Sequence, residues 1–102
     1  MAYELTIGLN VVDELGYQQY RDAMRPILEA HGGGFRYDFR VADVLKTAAN
    51  HKINRVFMIY FDNKEARNHF FSDEAYQRVR KQFFDPSVDG TTVISAYNIE
   101  IE

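Results

Sequence analysis

The chain has 102 residues, of which 46% are hydrophobic and 26% are charged, and its formal net charge is −3 at pH 7. This length favours a single domain, and the composition is typical of a globular protein. The lack of excess positive charge argues against a general nucleic-acid surface. Cysteine is absent, which excludes disulfides, thiolate metal sites and a cysteine nucleophile.

The N-terminal segment MAYELTIGLNVV lacks the basic start and the continuous apolar run of a signal peptide. No stretch of the chain approaches the roughly 18 apolar residues that a membrane helix needs. We therefore expect a cytoplasmic protein without a membrane partner, and the absence of cysteine fits a reducing compartment.

The first predicted elements are a strand and a helix. Residues 3–12 alternate between apolar and polar side chains, which predicts a strand. Asp13 is the predicted N-cap of a helix, and Pro26 is expected to kink or locally open that helix. The apolar stripe of the helix contains Tyr17, Tyr20, Met24, Ile27, Leu28 and His31.

The glycine run Gly32–Gly34 allows two interpretations. Phosphate-binding glycine loops precede a helix, whereas this run follows one, at the end that carries partial negative charge. The position favours a helix C-cap with a positive φ angle. His31 in the last turn then suits a capping role better than a catalytic one.

Two more strands follow. Residues 35–44 alternate again, and residues 53–61 are apolar on both faces, as expected for a central strand. The polar segment between them is the predicted connection.

The last third of the chain predicts an interrupted helix and a final strand. Asp62 and Glu65 have the spacing of a capping box, and a second start at Ser72–Asp73 predicts a break near residues 71–73. The helix should resume through Phe84 and stop at Asp85–Pro86, before a strand over residues 91–101.

The resulting order, β-α-β-β-α-β, predicts the α+β class and a ferredoxin-like sandwich: one domain over residues 1–102, with helices on one face of a four-stranded antiparallel sheet. The helices should cover the more uniformly apolar face. That face is predicted to contain Tyr3, Leu5, Ile7, Leu9, Phe35, Tyr37 and Phe39. The opposite face is predicted to contain Thr6, Gly8, Asn10, Arg36, Asp38, Arg40, Met58, Tyr60, Ile94, Ala96 and Asn98. Because this second face mixes apolar and charged residues, we expect a homodimer whose two sheets close around a wet cavity.

Two segments carry a family resemblance. The segment VVDELGYQQYRDAMRPILEAHGGGFR contains Asp13, Tyr17, Tyr20, Pro26, Gly32, Gly33 and Arg36 at matching positions. The segment FFSDEAYQRVRKQF contains Phe71, Ser72, Glu74, Tyr76, Gln77 and Arg80. Together they resemble the small bacterial family known as domain of unknown function thirteen-thirty. The resemblance implies a dimeric α/β barrel, in a superfamily that also contains cofactor-free monooxygenases, lactone isomerases and heme-handling enzymes. Fold alone does not choose among these activities.

The most distinctive candidate site is the sequence Arg36-Tyr37-Asp38-Phe39-Arg40. Strand alternation would place Arg36, Asp38 and Arg40 on one face, with the arginines about 13 Å apart. One interpretation is a solvated ladder of ion pairs. The other is a cavity lining, in which the arginines bind a carboxylate or enolate and Asp38 accepts a proton.

Further candidates complete this predicted site. Tyr60, Asn98 and Asn10 could orient a ligand, and His69 is a second candidate for proton transfer. The three histidines have no metal-ligand spacing, so we expect no metal site and no cofactor. Tyr17, Tyr20 and Tyr76 are predicted core aromatics whose hydroxyls could reach a pocket rim.

Two functions remain open at this stage. The first is a homodimeric small-molecule-binding protein, whose enzymatic form would be a cofactor-free enzyme that acts on an anionic or enolisable metabolite in the sheet cavity. The second is a non-catalytic binding or assembly module whose sheet face only forms the dimer. A wet cavity that contains Arg36 or Arg40 would favour the first.

Overall fold

The protein forms one four-stranded sheet with its helices on one face, as the computed structural model of residues 1–101 shows. In chain order the elements are β1 (Ala2–Val11), α1 (Glu14–Ala30), β2 (Gly34–Arg40), β3 (Arg55–Phe61), α2 (Lys64–Ser72), α3 (Glu74–Val79), a π-helical segment (Arg80–Phe84), α4 (Asp85–Ser87) and β4 (Val88–Ile99). The strand order is β2-β3-β1-β4, and all neighbouring strands are antiparallel. The predicted α+β class and β-α-β-β-α-β order are confirmed.

Helix α1 begins as predicted. The Asp13 side chain accepts a hydrogen bond from the backbone N–H of Gly16 at 3.0 Å, which satisfies one of the free donors of the first turn. The helix continues through Pro26 to Ala30. Its buried stripe packs on the sheet, and the largest fully buried residues of the core are Leu9, Tyr17, Met24, Leu28, Phe61 and Phe70.

The glycine run ends α1, as the sequence predicts. The Gly33 N–H donates to the carbonyl of Leu28 at 2.9 Å, and Gly32 has a φ angle of 75°, in the region that favours glycine. The preceding residue, His31, contacts the Asp73 carboxylate at 2.8 Å. His31 therefore links the end of α1 to the start of α3.

The second helical region is broken where the sequence predicts a break. Asp73 ends α2 and caps α3, since its side chain accepts from the N–H of Ala75 at 2.7 Å. Two boundaries differ from the prediction. Asn63 rather than Asp62 caps α2, and the helix runs past Pro86 to the end of α4, because proline is tolerated in a first helical turn. Within residues 1–101, no helix combines the length and the apolar character that a membrane crossing requires.

A bulge in β2 makes part of the predicted face assignment wrong. Phe35 pairs with Ile59, but Tyr37 pairs with Met58, so Arg36 is the extra residue. A bulge of one residue reverses the side-chain alternation that follows it. Tyr37 and Phe39 consequently lie on the face without helices, which we call the open face. Asp38 and Arg40 lie on the side of the helices, which we call the helix face.

A second bulge, in β4, has the same effect. The register of β4 against β1 shifts near Ile94, after which Ala96 pairs with Leu5 and Asn98 with Tyr3. Ala96 and Asn98 therefore lie on the helix face, contrary to the prediction. Tyr97 takes their place on the open face. The predicted open-face positions of Thr6, Gly8, Met58 and Tyr60 agree with the register of β1 against β3.

The strands next to the long connection are shorter than predicted. β2 ends at Arg40 and β3 begins at Arg55. Asn54 explains the late start of β3, since its side chain accepts from the N–H of Val11 at 2.8 Å and donates to the carbonyl of Val11 at 2.8 Å. The amide side chain thus takes hydrogen bonds that a strand ladder would otherwise make.

Candidate functional site

The residues predicted to form one site do not come together. Arg36 and Tyr60 lie on the open face, whereas Asp38 and Arg40 lie on the helix face. Three further candidates lie apart from both groups. Asn10 accepts a weak hydrogen bond from Asn54 at the end of β1, Asn98 is exposed on β4, and His69 is exposed on α2.

On the open face, Arg36 and Glu4 form a tight ion pair. The Nε and Nη2 atoms of Arg36 donate to the two carboxylate oxygens of Glu4 at 2.7 and 2.8 Å. Tyr97 donates its hydroxyl to Glu4 Oε2 at 2.8 Å, and Thr6 shares a hydrogen bond of 2.7 Å with that hydroxyl. Glu4 is 0% exposed although no helix covers it. Arg36 and Tyr97 themselves therefore form its cover.

The charge in this open-face network is balanced. The hydrogen bond from Arg36 lowers the pKa of Glu4, against a raising effect of burial, and the Tyr97 hydroxyl lowers it further. The bond to Glu4 in turn raises the pKa of Arg36. One carboxylate and one guanidinium satisfy each other, so little capacity is left for an anionic ligand here.

On the helix face, one carboxylate contacts two arginines. Arg55 donates from Nε and Nη2 to the two oxygens of Asp38, both at 2.8 Å. The Nη2 atom of Arg21, from α1, lies 3.2 Å from Asp38 Oδ1. Burial raises the pKa of Asp38, but its two arginine partners outweigh that effect and lower it overall. Asp38 is therefore a weaker base than an ordinary aspartate.

Arg21 is the most unusual side chain of the protein, because it is a buried cation that is only partly bonded. Its side chain is 7% exposed, and its Nε donates to the Tyr17 hydroxyl at 2.8 Å. Its guanidinium carbon lies 3.9 Å from the centre of the Phe35 ring and 4.8 Å from that of Phe57. These aromatic faces stabilise the charge. Its buried Nη2 atom has the Asp38 carboxylate as its polar neighbour, in the ion-pair contact of 3.2 Å, whose geometry falls short of a hydrogen bond.

Arg21 also lines a cavity of about 280 Å³ between the sheet and the helices. The residues around this cavity, which we call the helix-face cavity, are Leu5, Ile7, Leu9, Tyr20, Arg21, Met24, Phe35, Phe57, Ile59, Arg67, Phe71, Tyr76, Arg80, Phe84, Thr91 and Val93. Most are apolar or aromatic, three are arginines, and none is an aspartate, glutamate or histidine. An enclosed apolar space with a few convergent polar groups is the usual form of a small-molecule site.

Two of the residues that line the cavity are tyrosines whose hydroxyls hydrogen-bond to each other. The hydroxyls of Tyr20 and Tyr76 lie 2.9 Å apart and share one hydrogen bond. Because one bond uses one of their two protons, the second O–H remains available as a donor. Burial raises the pKa of both phenols, so both are neutral donors near pH 7.

The arginines on the helical side come from irregular parts of the chain. Arg67 lies on α2, with its guanidinium 5.2 Å from the centre of the Tyr3 ring. Arg80 and Phe84 belong to the π-helical segment, a type of irregularity that is frequent at functional sites. Thr91 and Val93 lie on the helix face of β4 and are exposed, so the cavity opens to solvent beside this strand.

Sequence reasoning missed the central residue of this arrangement, although a signal was present. Arg21 occurs four residues after Tyr17 and three before Met24, so it interrupts the predicted apolar stripe of α1. A charged residue at a core position of a helix is rarely buried without a partner or a role. Of the three tyrosines whose hydroxyls were predicted to reach a pocket rim, Tyr20 and Tyr76 are lining residues of the cavity, and the role of their hydroxyls stays a prediction.

The fold and this site together define the class: an α+β protein of the ferredoxin-like type, with a small cavity between sheet and helices. The chain belongs to the DUF1330 family, a domain of unknown function, whose model matches residues 2–96. The resemblance seen in the sequence is thereby confirmed. A search of curated protein sequences finds no match.

Solved structures support the same fold. A protein of unknown function from Rhodopseudomonas palustris has a TM-score of 0.81 and 14% identity, over 99% of this chain and 84% of that chain. A DABB family protein with a ferredoxin-like fold from Mesorhizobium loti has a TM-score of 0.68 and 14% identity, over 97% of both chains. A dimeric ferredoxin-like protein of unknown function from Jannaschia sp. CCS1 has a TM-score of 0.60 and 12% identity, over 97% of this chain and 100% of that chain. At these identities the likeness concerns the fold alone.

Proposed function

We propose that the protein is a homodimeric binding protein for a small anionic molecule, and that the ligand occupies the helix-face cavity. The observation that carries this proposal is the lining: three arginines, two tyrosines and no acidic side chain around a mostly apolar space. The proposal keeps the anionic ligand that the sequence suggests. It moves the ligand from the open face, where Arg36 is already paired with Glu4, to the neighbourhood of Arg21.

The size of the cavity limits the ligand. A volume of about 280 Å³ lies near the lower end of small-molecule sites, which span roughly 300–1,000 Å³. An apolar cavity of about 150 Å³ is enough for benzene. A molecule built on one ring, or on a branched chain of similar bulk, therefore suits this cavity.

The open face supports the homodimer in the proposal. Tyr37 and Phe39 are both 50% exposed, with their rings stacked 6.0 Å apart, and Ile94 is exposed nearby. Leu45, in the loop beside this face, is 92% exposed. A group of apolar side chains with this much exposed surface is typical of a surface that another protein chain covers. β4 is also an edge strand: it pairs with β1 on one side and has no neighbouring strand on the other. It contains a single charged residue, Asp89, and an edge with so few charges favours pairing with a strand of another chain.

The lining supports binding better than acid–base catalysis. No carboxylate or imidazole lines the cavity, and Asp38 is held as an anion by two arginines. A general base needs a pKa close to the working pH, which Asp38 lacks. Catalytic roles for Asp38 and His69, and ligand-binding roles for Arg36, Arg40, Tyr60, Asn10 and Asn98, stay predictions.

The proposal can be tested with single-ring probes that differ in charge. Titration calorimetry with benzoate, benzyl alcohol and benzylamine should give the tightest binding for benzoate and none for the amine. Arg21→Gln should weaken the binding of benzoate by about tenfold or more, since a charge-assisted hydrogen bond contributes about 1.5–3 kcal/mol.

Arg25→Gln is the matched control, because Arg25 is exposed one turn further along α1 and does not line the cavity. This variant should bind benzoate like the wild type. Equal binding of benzoate and benzylamine, or no binding of any of the three probes, would show that the cavity is not an anion site.

A further inference from the structure

A threonine and a histidine meet at the open face in the arrangement of a nucleophile and its base. The Oγ1 atom of Thr92 lies 2.7 Å from Nε2 of His51, and Nδ1 of the same imidazole lies 2.7 Å from the backbone carbonyl oxygen of Lys52. Thr92 is on β4, whereas His51 and Lys52 belong to the loop before β3. A hydroxyl bonded to an imidazole that a third group orients is the usual form of an activated nucleophile.

The Lys52 carbonyl determines the direction of these hydrogen bonds. A carbonyl oxygen only accepts, so the bond at Nδ1 of His51 requires a proton on that nitrogen. In the neutral imidazole, Nε2 then carries no proton and accepts from the Thr92 hydroxyl. The lone pair of His51 is therefore directed at the proton that Thr92 would lose as a nucleophile.

The backbone at the start of β4 leaves room for the imidazole. Gly90 has a φ angle of 133°, in the region that favours glycine. A Cβ atom added to Gly90 would lie 2.5 Å from Cγ of His51, which is far inside the contact distance. A residue with a side chain at this position would displace the ring, so Gly90 is what allows His51 to reach Thr92.

The same threonine borders a space that is large enough for a substrate. Thr92 lines a cavity of about 690 Å³ beside the loop of residues 41–54, which we call the loop cavity. Small-molecule sites span roughly 300–1,000 Å³. The apolar side chains of the lining include Val44, Ile53, Val56 and Ile94.

The charges of the loop cavity favour an uncharged substrate. Its two charged residues, Asp43 and Lys46, have opposite signs, so the lining has no excess of either charge. A nucleophilic hydroxyl with an imidazole base acts on acyl groups. A small uncharged carboxylic ester satisfies both conditions.

We propose that Thr92 is a nucleophile that takes the acyl group of a small uncharged ester bound in the loop cavity, with His51 as its base. Thr92 Oγ1 bonds to the acyl carbon while His51 Nε2 takes the hydroxyl proton. The ester C–O bond then breaks, and His51 gives that proton to the leaving alcohol. Water next attacks the acyl carbon, His51 transfers a proton from the water to Thr92 Oγ1, and the carboxylic acid leaves. This activity does not depend on anion binding in the helix-face cavity.

The experiment uses para-nitrophenyl acetate with the wild-type protein. Samples quenched in acid during turnover and digested should show, by mass spectrometry, an acetyl group on Thr92. Thr92→Val keeps the shape of the side chain but lacks the hydroxyl, so it should lose this adduct, whereas Thr92→Ser should keep it. Ser95→Ala is the control, because it removes an exposed hydroxyl further along β4, and it should react like the wild type.

The role of His51 is measured by His51→Gln. This variant should acetylate Thr92 about 10²–10⁴-fold more slowly than the wild type, the usual contribution of a general base. An unchanged rate would show that His51 only holds the loop and would overturn its assignment as the base. A wild-type protein without acetyl on Thr92, whose release of nitrophenol equals that of Thr92→Val, would overturn the proposal. The wild-type adduct map needs no variant, so it decides the case in which Thr92→Val does not fold.

Discussion

The two faces of the sheet each carry an acidic residue that contacts arginine, but the number of arginine partners differs. On the open face, Glu4 has one guanidinium partner, Arg36, and a phenol, Tyr97. On the helix face, Asp38 has two guanidinium partners, Arg55 and Arg21. The first network is neutral and closed. In the second network Asp38 contacts two guanidiniums, Glu14 lies 3.7 Å from Arg55, and Arg21 also lines the helix-face cavity.

This difference separates a structural ion pair from a candidate binding site. A buried pair whose hydrogen bonds are complete contributes to specificity of folding, and has nothing to offer a ligand. A buried cation is costly unless neighbouring groups compensate for it. For Arg21, part of that compensation comes from the Phe35 and Phe57 rings. Further compensation comes from the Asp38 carboxylate at 3.2 Å and from the Tyr17 hydroxyl, which accepts from Arg21 Nε at 2.8 Å.

The largest expected effect is on the free energy of unfolding, which should depend on the helix face much more than on the open face. Phe61 is 0% exposed on the helix face of β3, so Phe61→Ala should lower the free energy of unfolding by about 3–5 kcal/mol. Phe39, half-exposed on the open face, is the matched aromatic. Phe39→Ala should change the free energy of unfolding of the monomer by less than about 1 kcal/mol. Urea unfolding at low protein concentration measures both, and similar losses would mean that the open face is part of the monomer core.

The next effect concerns assembly. If the open face forms the homodimer, Ile94→Lys places like charges in the interface and should convert a mass of two chains into a mass of one. Val12→Lys is the control, since Val12 is similarly exposed but follows the last residue of β1. Sedimentation equilibrium at micromolar concentration distinguishes the states. A wild type with the mass of one chain, or an Ile94→Lys protein with the mass of two, would contradict the proposed dimer.

The sequence predicted the order of the strands and helices better than it predicted the sheet face on which each strand side chain lies. The reason is physical. Hydrophobic periodicity, the caps at Asp13 and Asp73, and the terminating glycines are local signals: the caps and the glycines were correct, and the periodicity gave the right elements with strand ends that differ by up to four residues. Side-chain orientation along a strand depends on register. Each bulge changes the orientation of every residue after it, and nothing in the residues around Arg36 or Ile94 marks a bulge.

The sequence predicted an anion site built on arginines, and the anionic ligand stays a prediction. An anionic ligand and an arginine partner followed from the Arg36–Arg40 segment, yet that segment divides between two faces. The arginine that lines the cavity, Arg21, lies on a helix, and only its place in the apolar stripe distinguished it. Its partner Asp38 lies on β2, and Arg55, the second arginine that contacts Asp38, lies on β3. Such a meeting of distant residues is set by the tertiary fold.

The smallest expected effect is the pH dependence of thermal stability that Glu4, on the open face, contributes. The pKa of Glu4 is lowered in the folded protein, so its contribution to stability is present above its ordinary value of 4.5 and is lost as the pH falls through the lower folded value. Glu4→Gln keeps the shape of the side chain but removes this charge. At neutral pH the Glu4→Gln protein should melt at a lower temperature than the wild type, and the difference should shrink as the pH falls below 4.5. Glu29→Gln, at an exposed position of α1, should melt like the wild type throughout. Thermal melts from neutral to acidic pH test this, and a constant difference would mean that Glu4 and Arg36 do not form a charged pair in solution.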